Sequence, residues 1–395
     1  MPQQPNIKPN DAQDISIELA PSLDEIDAKQ WDTLTDGTPL LSHAFLSALE
    51  HSGSVGQGTG WNPYPLVVKQ NNQLVGAIPL YLKSHSYGEY VFDWAWADAY
   101  QRSGLDYYPK LLSAIPFSPI TSARLLACDD KVKALMIEAL EGAMLQHKLS
   151  SAHVIFPDDA DAAQLDAAGW LKRTGVQFRW QNKNYANFED FLTTLSHDKR
   201  KKIHQERKKI QAAGVLCKYI KGTEAAESDW DFFYACYSNT YREHHSTPYL
   251  TRAFFAEIGN TMPQNILLIV AEIDGKPVAS TLNIYNQSTL YGRYWGATQF
   301  VSGLHFELCY YQAQAFCITE KIEYFEGGAQ GEHKLARGFE PRPTCSYHKI
   351  AHPEFEAAIQ QFLQREQAGI AAYTTELEER APFKAVQSDQ LKSTN

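Results

Sequence analysis

The chain has 395 residues and a formal net charge of -10, with 44% hydrophobic and 12% aromatic residues. At roughly 150 residues per domain this length exceeds one ordinary core, and the apolar content excludes global disorder. The acidic balance excludes broad coating of nucleic acid, and no run of about 18 apolar residues occurs, so a soluble cytoplasmic protein without membrane insertion is expected.

Residues 1–13 are polar and proline-spotted and read as a disordered tail. Residues 14–186 predict a first α/β domain, beginning with a strand at Ile15–Leu19 and helices near Asp24–Leu34 and Ser42–Glu50. A three-stranded meander follows from Leu66, its third strand expected in the aromatic run YVFDWAWAD. A long helix Lys131–Leu149 and strands His153–Phe156 and Leu171–Trp180 complete the domain.

Residues 187–214 read as a linker carrying the basic segment HDKRKKIHQERKKI. Seven cations fall within residues 199–209, and only Ile203, Ile210 and Val215 supply an apolar face. This is either a solvated helix or an anion-binding ridge for coenzyme A or tRNA.

Residues 215–351 predict a second α/β domain. Its elements are strand Val215–Ile220, helices Asp229–Arg242 and Thr251–Ile258, and the meander Ile266–Ile273, Pro277–Tyr285 and Leu290–Gly296. Helix Leu304–Thr319 and strands Ile322–Phe325 and Thr344–Ile350 follow. Residues 352–381 read as a C-terminal helix and 382–395 as a second disordered tail. The segments from Leu66 and from Ile269 align without gaps at a shift of 203 residues, with turns Asn71-Asn72 and Asp274-Gly275 in register. Two tandem domains of similar topology are therefore expected.

The stretch FEGGAQGEHKLARGF, at Phe325–Phe339, concentrates glycine and charge after a predicted strand. It is not a phosphate loop, because no Ser or Thr follows Lys334, and its glycine spacing is not that of a dinucleotide fold. The histidines lack ligand spacing, so no metal is expected, and GxSxG is absent. The six cysteines, Cys128, Cys217, Cys236, Cys309, Cys317 and Cys345, form no CxxC pair and read as reduced thiols. What remains is a turn where Gly328 and Gly331 let a ligand approach the backbone while Glu332, His333, Lys334 and Arg337 project charge. It is followed in importance by the start of the helix at Leu304, after the loop TQFVSG, as a seat for phosphate.

The order of elements, with LYGRYWGA, LHFELCYYQ and FEGGAQGEHKLARGF, resembles the Fem-like branch of GNAT-type N-acyltransferases. The resemblance implies a tandem duplication of GNAT-like domains, each a mixed, mostly antiparallel sheet flanked by helices. It implies transfer of an acyl or aminoacyl group to a primary amine, on a small molecule or a peptide. Acyl-CoA is the possible cosubstrate, or aminoacyl-tRNA held by the basic helix, and no cofactor is bound permanently. Arg293, Gln299, Gly303, Gly328 and Gly331 would face the donor. Tyr241, His245, Tyr249 and Trp295 would face the acceptor.

Amide formation needs a base and an oxyanion donor. Glu332 or His333 is expected as the base, with Glu307 or His305 as second choices. Lys334 and Arg337 are expected to stabilise charge, and Tyr291 to protonate the leaving group. Strand alternation should put Tyr291 and Arg293 on one face and Tyr294 on the other. A rival reading is a non-catalytic module of the same fold that holds RNA or an anionic envelope precursor. The oligomeric state is left open.

Overall fold

The computed structural model describes residues 15–328 and 331–384, so the first tail and most of the second lie outside it. Strand β1 (Ile15–Leu19) precedes helices α1 (Ala28–Leu34) and α2 (His43–His51). Strands β2 (Trp61–Pro63), β3 (Leu66–Gln70), β4 (Gln73–Ile78) and β5 (Leu80–Lys83) lead to α3 (Trp94–Arg102). Then come β6 (Lys110–Ser113), β7 (Leu126–Ala127), α4 (Asp130–Gln146), β8 (Ser151–Ile155), α5 (Asp159–Ala167) and β9 (Leu171–Gln181).

Helices α6 (Phe188–Thr194) and α7 (His197–Ala212) connect to β10 (Val215–Lys221), α8 (Glu227–Glu243) and α9 (Arg252–Thr261). The second meander is β11 (Ile266–Ile273), β12 (Lys276–Tyr285) and β13 (Thr289–Ala297). One helical rod follows: α10 (Leu304–Phe306), a π-helical turn at Glu307–Gln312, and α11 (Ala313–Glu320). Strands β14 (Tyr324–Glu326) and β15 (Glu340–Ile350) and helix α12 (Pro353–Glu379) end the described fold.

Both hairpins turn as expected, but only the second half forms a three-stranded meander, because β4 pairs with β3 and β7 while β5 joins the other sheet between β2 and β6. Asn71 and Asn72 hold φ of 50° and 66°, and Asp274 and Gly275 hold 50° and 73°, the doubly left-handed geometry of a type I′ hairpin. The architecture is a tandem duplication of GNAT-like units. In the first, β6 crosses by α4 to the parallel strand β8; in the second, β13 crosses by the helical rod to the parallel strand β14. The halves share one eleven-stranded sheet, β10-β11-β12-β13-β14-β9-β15-β8-β6-β5-β2, beside a four-stranded sheet β1-β3-β4-β7. Strand β9 lies between β14 and β15, and β15 lies between β9 and β8, so the two longest strands exchange across the halves.

The halves also share an apolar core, in which Phe45 of α2 meets Phe254 of α9 edge to face at 5.5 Å. A second core lies under α6, α7 and the rod, where Ile203 and Ile210 bury the apolar stripe of the basic helix.

Two expectations are corrected. The run YVFDWAWAD is not a third meander strand; Trp94–Arg102 is helix α3, with Trp96 and Tyr100 buried four residues apart on one face. On β13, Tyr291 and Tyr294 pack on the same side. A bulge between Leu282 and Asn283 of the partner strand lets Leu282 face Tyr294 and Asn283 face Gly292, so Arg293 is the extra residue and alternation reverses there.

Candidate active site

Strands β13 and β14 pair only at Thr289–Tyr324, Leu290–Phe325 and Tyr291–Glu326, and then part. The opening encloses a cavity of about 160 Å³ lined by Arg293, Trp295, His305, Cys309, Tyr310 and Gly327. At its mouth a second cavity of about 200 Å³ is lined by Gln299, Phe300 and Gly303 among others, and His305 and Trp295 border both. Gly303, at φ 87°, turns the chain into the rod. The equivalent helix of the first half, α4, starts instead with Asp129 as its cap and Asp130 in its first turn, a pair that repels phosphate.

The glycine-rich turn closes the far side. Residues Glu332–Arg337 form a 3₁₀ helix between Gly331 (φ 117°) and Gly338 (φ 85°). The Lys334 ammonium is buried and donates to the carbonyl of Gly328 at 2.7 Å. Its Cε lies 3.4 Å from where a Cβ of Gly327 would stand, at the edge of the splay. Burial lowers its pKa to about 8. Arg337 is equally buried, with its guanidinium 3.6 Å above the ring of Phe306. It donates to the Glu206 carboxylate of α7 at 3.1 and 3.2 Å and to the carbonyl of His333 at 2.8 Å.

His333 Nε2 stands 2.9 Å from the Tyr310 hydroxyl, and its ring centre is 6.4 Å from that of His305. Partial desolvation and then Arg337 hold the exposed His333 below its ordinary pKa, and burial takes His305 to about 4. Both imidazoles are therefore neutral at pH 7, as a base must be.

The structure thus brings together His305, His333, Lys334, Arg293 and Trp295, with Gln299, Gly303 and Gly328 on their margins. Glu332 is not among them. Its carboxylate turns outward to α12, accepting from Arg380 at 2.7 Å and Tyr373 at 3.0 Å, and these bonds lower its pKa. Glu307 is buried but faces α7, accepting from Arg207 at 3.3 Å and Gln312 at 2.7 Å. Tyr291 lies in the core shared by the halves, where burial raises its phenol pKa.

Arg293 donates to the carbonyl of Phe117 from the first half. Tyr249 stacks on Phe117 at 4.8 Å and meets Tyr241 at 5.9 Å, an aromatic wall beside the splay. His245 stands apart, exposed at φ 51° in the turn after α8.

Sequence reasoning missed Tyr310 and the ion pair of Arg179 with Glu326, a half-buried carboxyl whose pKa desolvation raises. Glu326 could have been noticed as the last strand residue before Gly327-Gly328. Nothing in the sequence marks Tyr90 and Phe117, whose left-handed φ of 63° and 58° brings them to Arg293. Among the described residues no group of three His, Cys, Asp or Glu could hold a metal ion, and no helix is long and apolar enough to cross a membrane.

A parallel strand pair joined by a helical crossover in each half, splayed in the second beside the start of the rod, is the layout of a tandem GNAT-type fold. The chain belongs to the FemAB-like family, described as peptidoglycan biosynthesis/recognition, whose sequence profile matches residues 22–385. Among solved structures, FemX is similar at 12% identity and TM-score 0.51, over 85% of this chain and 98% of that one. A tandem GNAT protein from the clavulanic acid biosynthesis pathway is similar at 12% identity and TM-score 0.45, over 86% of this chain and 99% of that one. L-PGS from Bacillus licheniformis is similar at 10% identity and TM-score 0.48, over 85% and 97% respectively. No curated protein matches the sequence.

Proposed function

We propose that the protein is an N-acyltransferase that moves an acyl or aminoacyl group from acyl-CoA or aminoacyl-tRNA to a primary amine. Family membership favours an acceptor from the peptidoglycan pathway. The observation that carries the reading is the set of His333, Tyr310 and Lys334 gathered where the β13–β14 splay meets the glycine-rich turn.

An ammonium of pKa near 10.4 costs about 4.6 kcal/mol to deprotonate at pH 7 and yields that proton to solvent before it can attack; the neutral amine then sheds a second proton as the amide forms, and a base must take it. Neutral His333 fills that role. The amine nitrogen attacks the carbonyl carbon of the donor while its proton passes to the imidazole, and the Lys334 ammonium faces the oxyanion. Collapse breaks the bond to the donor's thiolate or ribose oxygen. Tyr310 gives that leaving atom its proton and recovers one from His333 across their 2.9 Å contact. The proton lost by the neutral amine thus leaves with the spent donor.

A thermal-shift panel of acetyl-CoA, longer acyl-CoAs, free CoA and charged tRNA tests the reading. A saturable shift by one activated donor, and amide formation when an amine is added, is the expected result. Shifts by uncharged and charged RNA alike, with no transfer, would favour the binding module instead.

The tRNA alternative has its own signature on α7. Lys199, Arg200, Lys201, Lys202, Lys208 and Lys209 have no ion-pair partner among the described residues, and Arg200, Lys201 and Lys208 border one surface groove. Replacing those three by Gln should weaken tRNA binding and reduce the slope of log affinity against log salt by about 2 to 3. Filter binding at several salt concentrations reads this directly, and an unchanged slope would remove α7 from the donor site.

A further inference from the structure

Outside the splay, a cavity of about 270 Å³ lies on the β9–β15 ladder, beneath the loop Tyr90–Phe92 and against α12. Its floor is one face of the two strands, where Arg173 pairs with Ser346 and Gly175 with Thr344. Gly175 leaves the hollow, because even a Cβ there would stand 3.1 Å from the Thr344 hydroxyl. Arg173 bolts the walls together, donating to Glu366 of α12 at 2.7 and 2.8 Å and to the carbonyl of Phe92 at 2.6 Å. These two are the charged residues of the lining, and they neutralise each other. Tyr90 on the rim keeps a left-handed backbone, strain of the kind that persists at ligand clamps.

The polarity of Ser346 is set from the far end of a buried hydrogen-bond chain. Tyr107 donates its hydroxyl to Asp93 at 2.7 Å, which leaves the phenol oxygen as an acceptor toward His153 Nε2 at 3.3 Å. Ser150 donates to the carbonyl of Tyr107, so Ser151 donates to Ser150 at 3.1 Å and accepts from His153 Nε2 at 2.7 Å. Both partners put the His153 proton on Nε2. Its Nδ1 must then accept from His348 Nδ1 at 2.6 Å, and the bare Nε2 of His348 takes the hydroxyl proton of Ser346 at 2.9 Å. Burial keeps both rings neutral, with His153 lowered to about 3 and His348 also well below its ordinary value. Ser346 therefore offers the cavity lone pairs only, and a group that meets it has to donate.

We infer that this cavity is a second ligand site, for an uncharged, hydroxyl-rich molecule of saccharide type that donates to Ser346 and packs on Tyr90, Val91 and Phe92. A phosphate or carboxylate would lose its hydration here without a free cation to replace it. A few fixed polar groups set in an apolar wall suit a small neutral ligand. The site does not rest on the transferase reading.

Saturation-transfer NMR on the full chain tests it, with glucose and N-acetylglucosamine as probes and glucose 6-phosphate as the charged control. The expected result is a saturable signal from a neutral sugar, about tenfold weaker in Ser346→Ala, lost in Gly175→Leu, and weaker by at least as much for the phosphate. Ser346→Ala removes a single atom and keeps the test valid if Gly175→Leu does not fold. No saturable signal from either neutral sugar, equal binding of the phosphate, or a Ser346→Ala signal equal to that of the unchanged protein overturns the inference.

Discussion

Lys334→Met should lower kcat/KM for amide formation by about 100- to 1000-fold, the range for removing one donor to a developing oxyanion. Its folding stability should fall by no more than about 1 kcal/mol, since the one hydrogen bond lost is to the backbone of a partly exposed glycine and an unfavourably buried charge goes with it. The two readouts separate catalysis from scaffolding. The buried ammonium has a folded pKa of about 8, below the value near 10.4 of an unfolded lysine. Between those values the unfolded chain binds more protons than the folded one, so this residue's unfavourable contribution is complete below about pH 8 and fades as pH rises toward 10.4.

Activity should move the other way. A charged Lys334 is required, so the rate falls above pH 8, while the acidic limb, set by protonation of His333, lies below the ordinary histidine value. Lys334→Arg should carry the alkaline limb to higher pH. A Lys334→Met rate within threefold of the unchanged protein would remove the oxyanion role.

Gly296→Ala should destabilise the fold by about 3 kcal/mol or more, at the upper end for overpacked sites. Helix α8 crosses β13 so closely that the new Cβ would lie 1.9 Å from the carbonyl oxygen of Cys236 and 2.3 Å from its carbon. Backbone cannot rotate away as a side chain can. Two side-chain bonds hold the approach, Thr240 to the carbonyl of Trp295 at 2.9 Å and Asn239 to that of Ala297 at 2.8 Å. Lifting α8 would reshape the mouth of the splay, which Asn239, Thr240 and Ala297 line, so donor binding should weaken as well. Gly142→Ala is the control: it sits in α4 with open space around it and should stabilise by about 0.5–1 kcal/mol. Equal urea midpoints for the two variants would refute the close-packing argument.

What the sequence could disclose was local. The turns at Asn71-Asn72 and Asp274-Gly275 need left-handed residues and show them, and the strand at Ile266–Ile273 is an apolar run with β-branched residues at either end. Aromatics are enriched in strands, which is why the run YVFDWAWAD reads as one until Trp96 and Tyr100 are seen buried on one side of a helix. A bulge such as that at Arg293 leaves no compositional trace, yet it decides which side chains face the splay.

The candidate site divides in the same way. His333 and Lys334 were visible as charge beside glycine, but the fate of Glu332 is settled by Arg380, 48 residues further on. No periodicity links them. Nor does any local pattern announce that Tyr90 and Phe117 of one half would frame Arg293 of the other.

The exchange of β9 and β15 reaches into how the chain is made. During synthesis the first half emerges with β8 and β9 complete, but the strand that belongs between them is Glu340–Ile350, which leaves the ribosome only after nearly the whole second half. Until then an edge of β8 and the eleven-residue β9 stay open in the nascent chain, the kind of surface that pairs wrongly with other chains. Such late, distant pairing makes for slow folding. A chain released before residue 340 would keep its second meander and rod and still lack the strand that closes the first sheet.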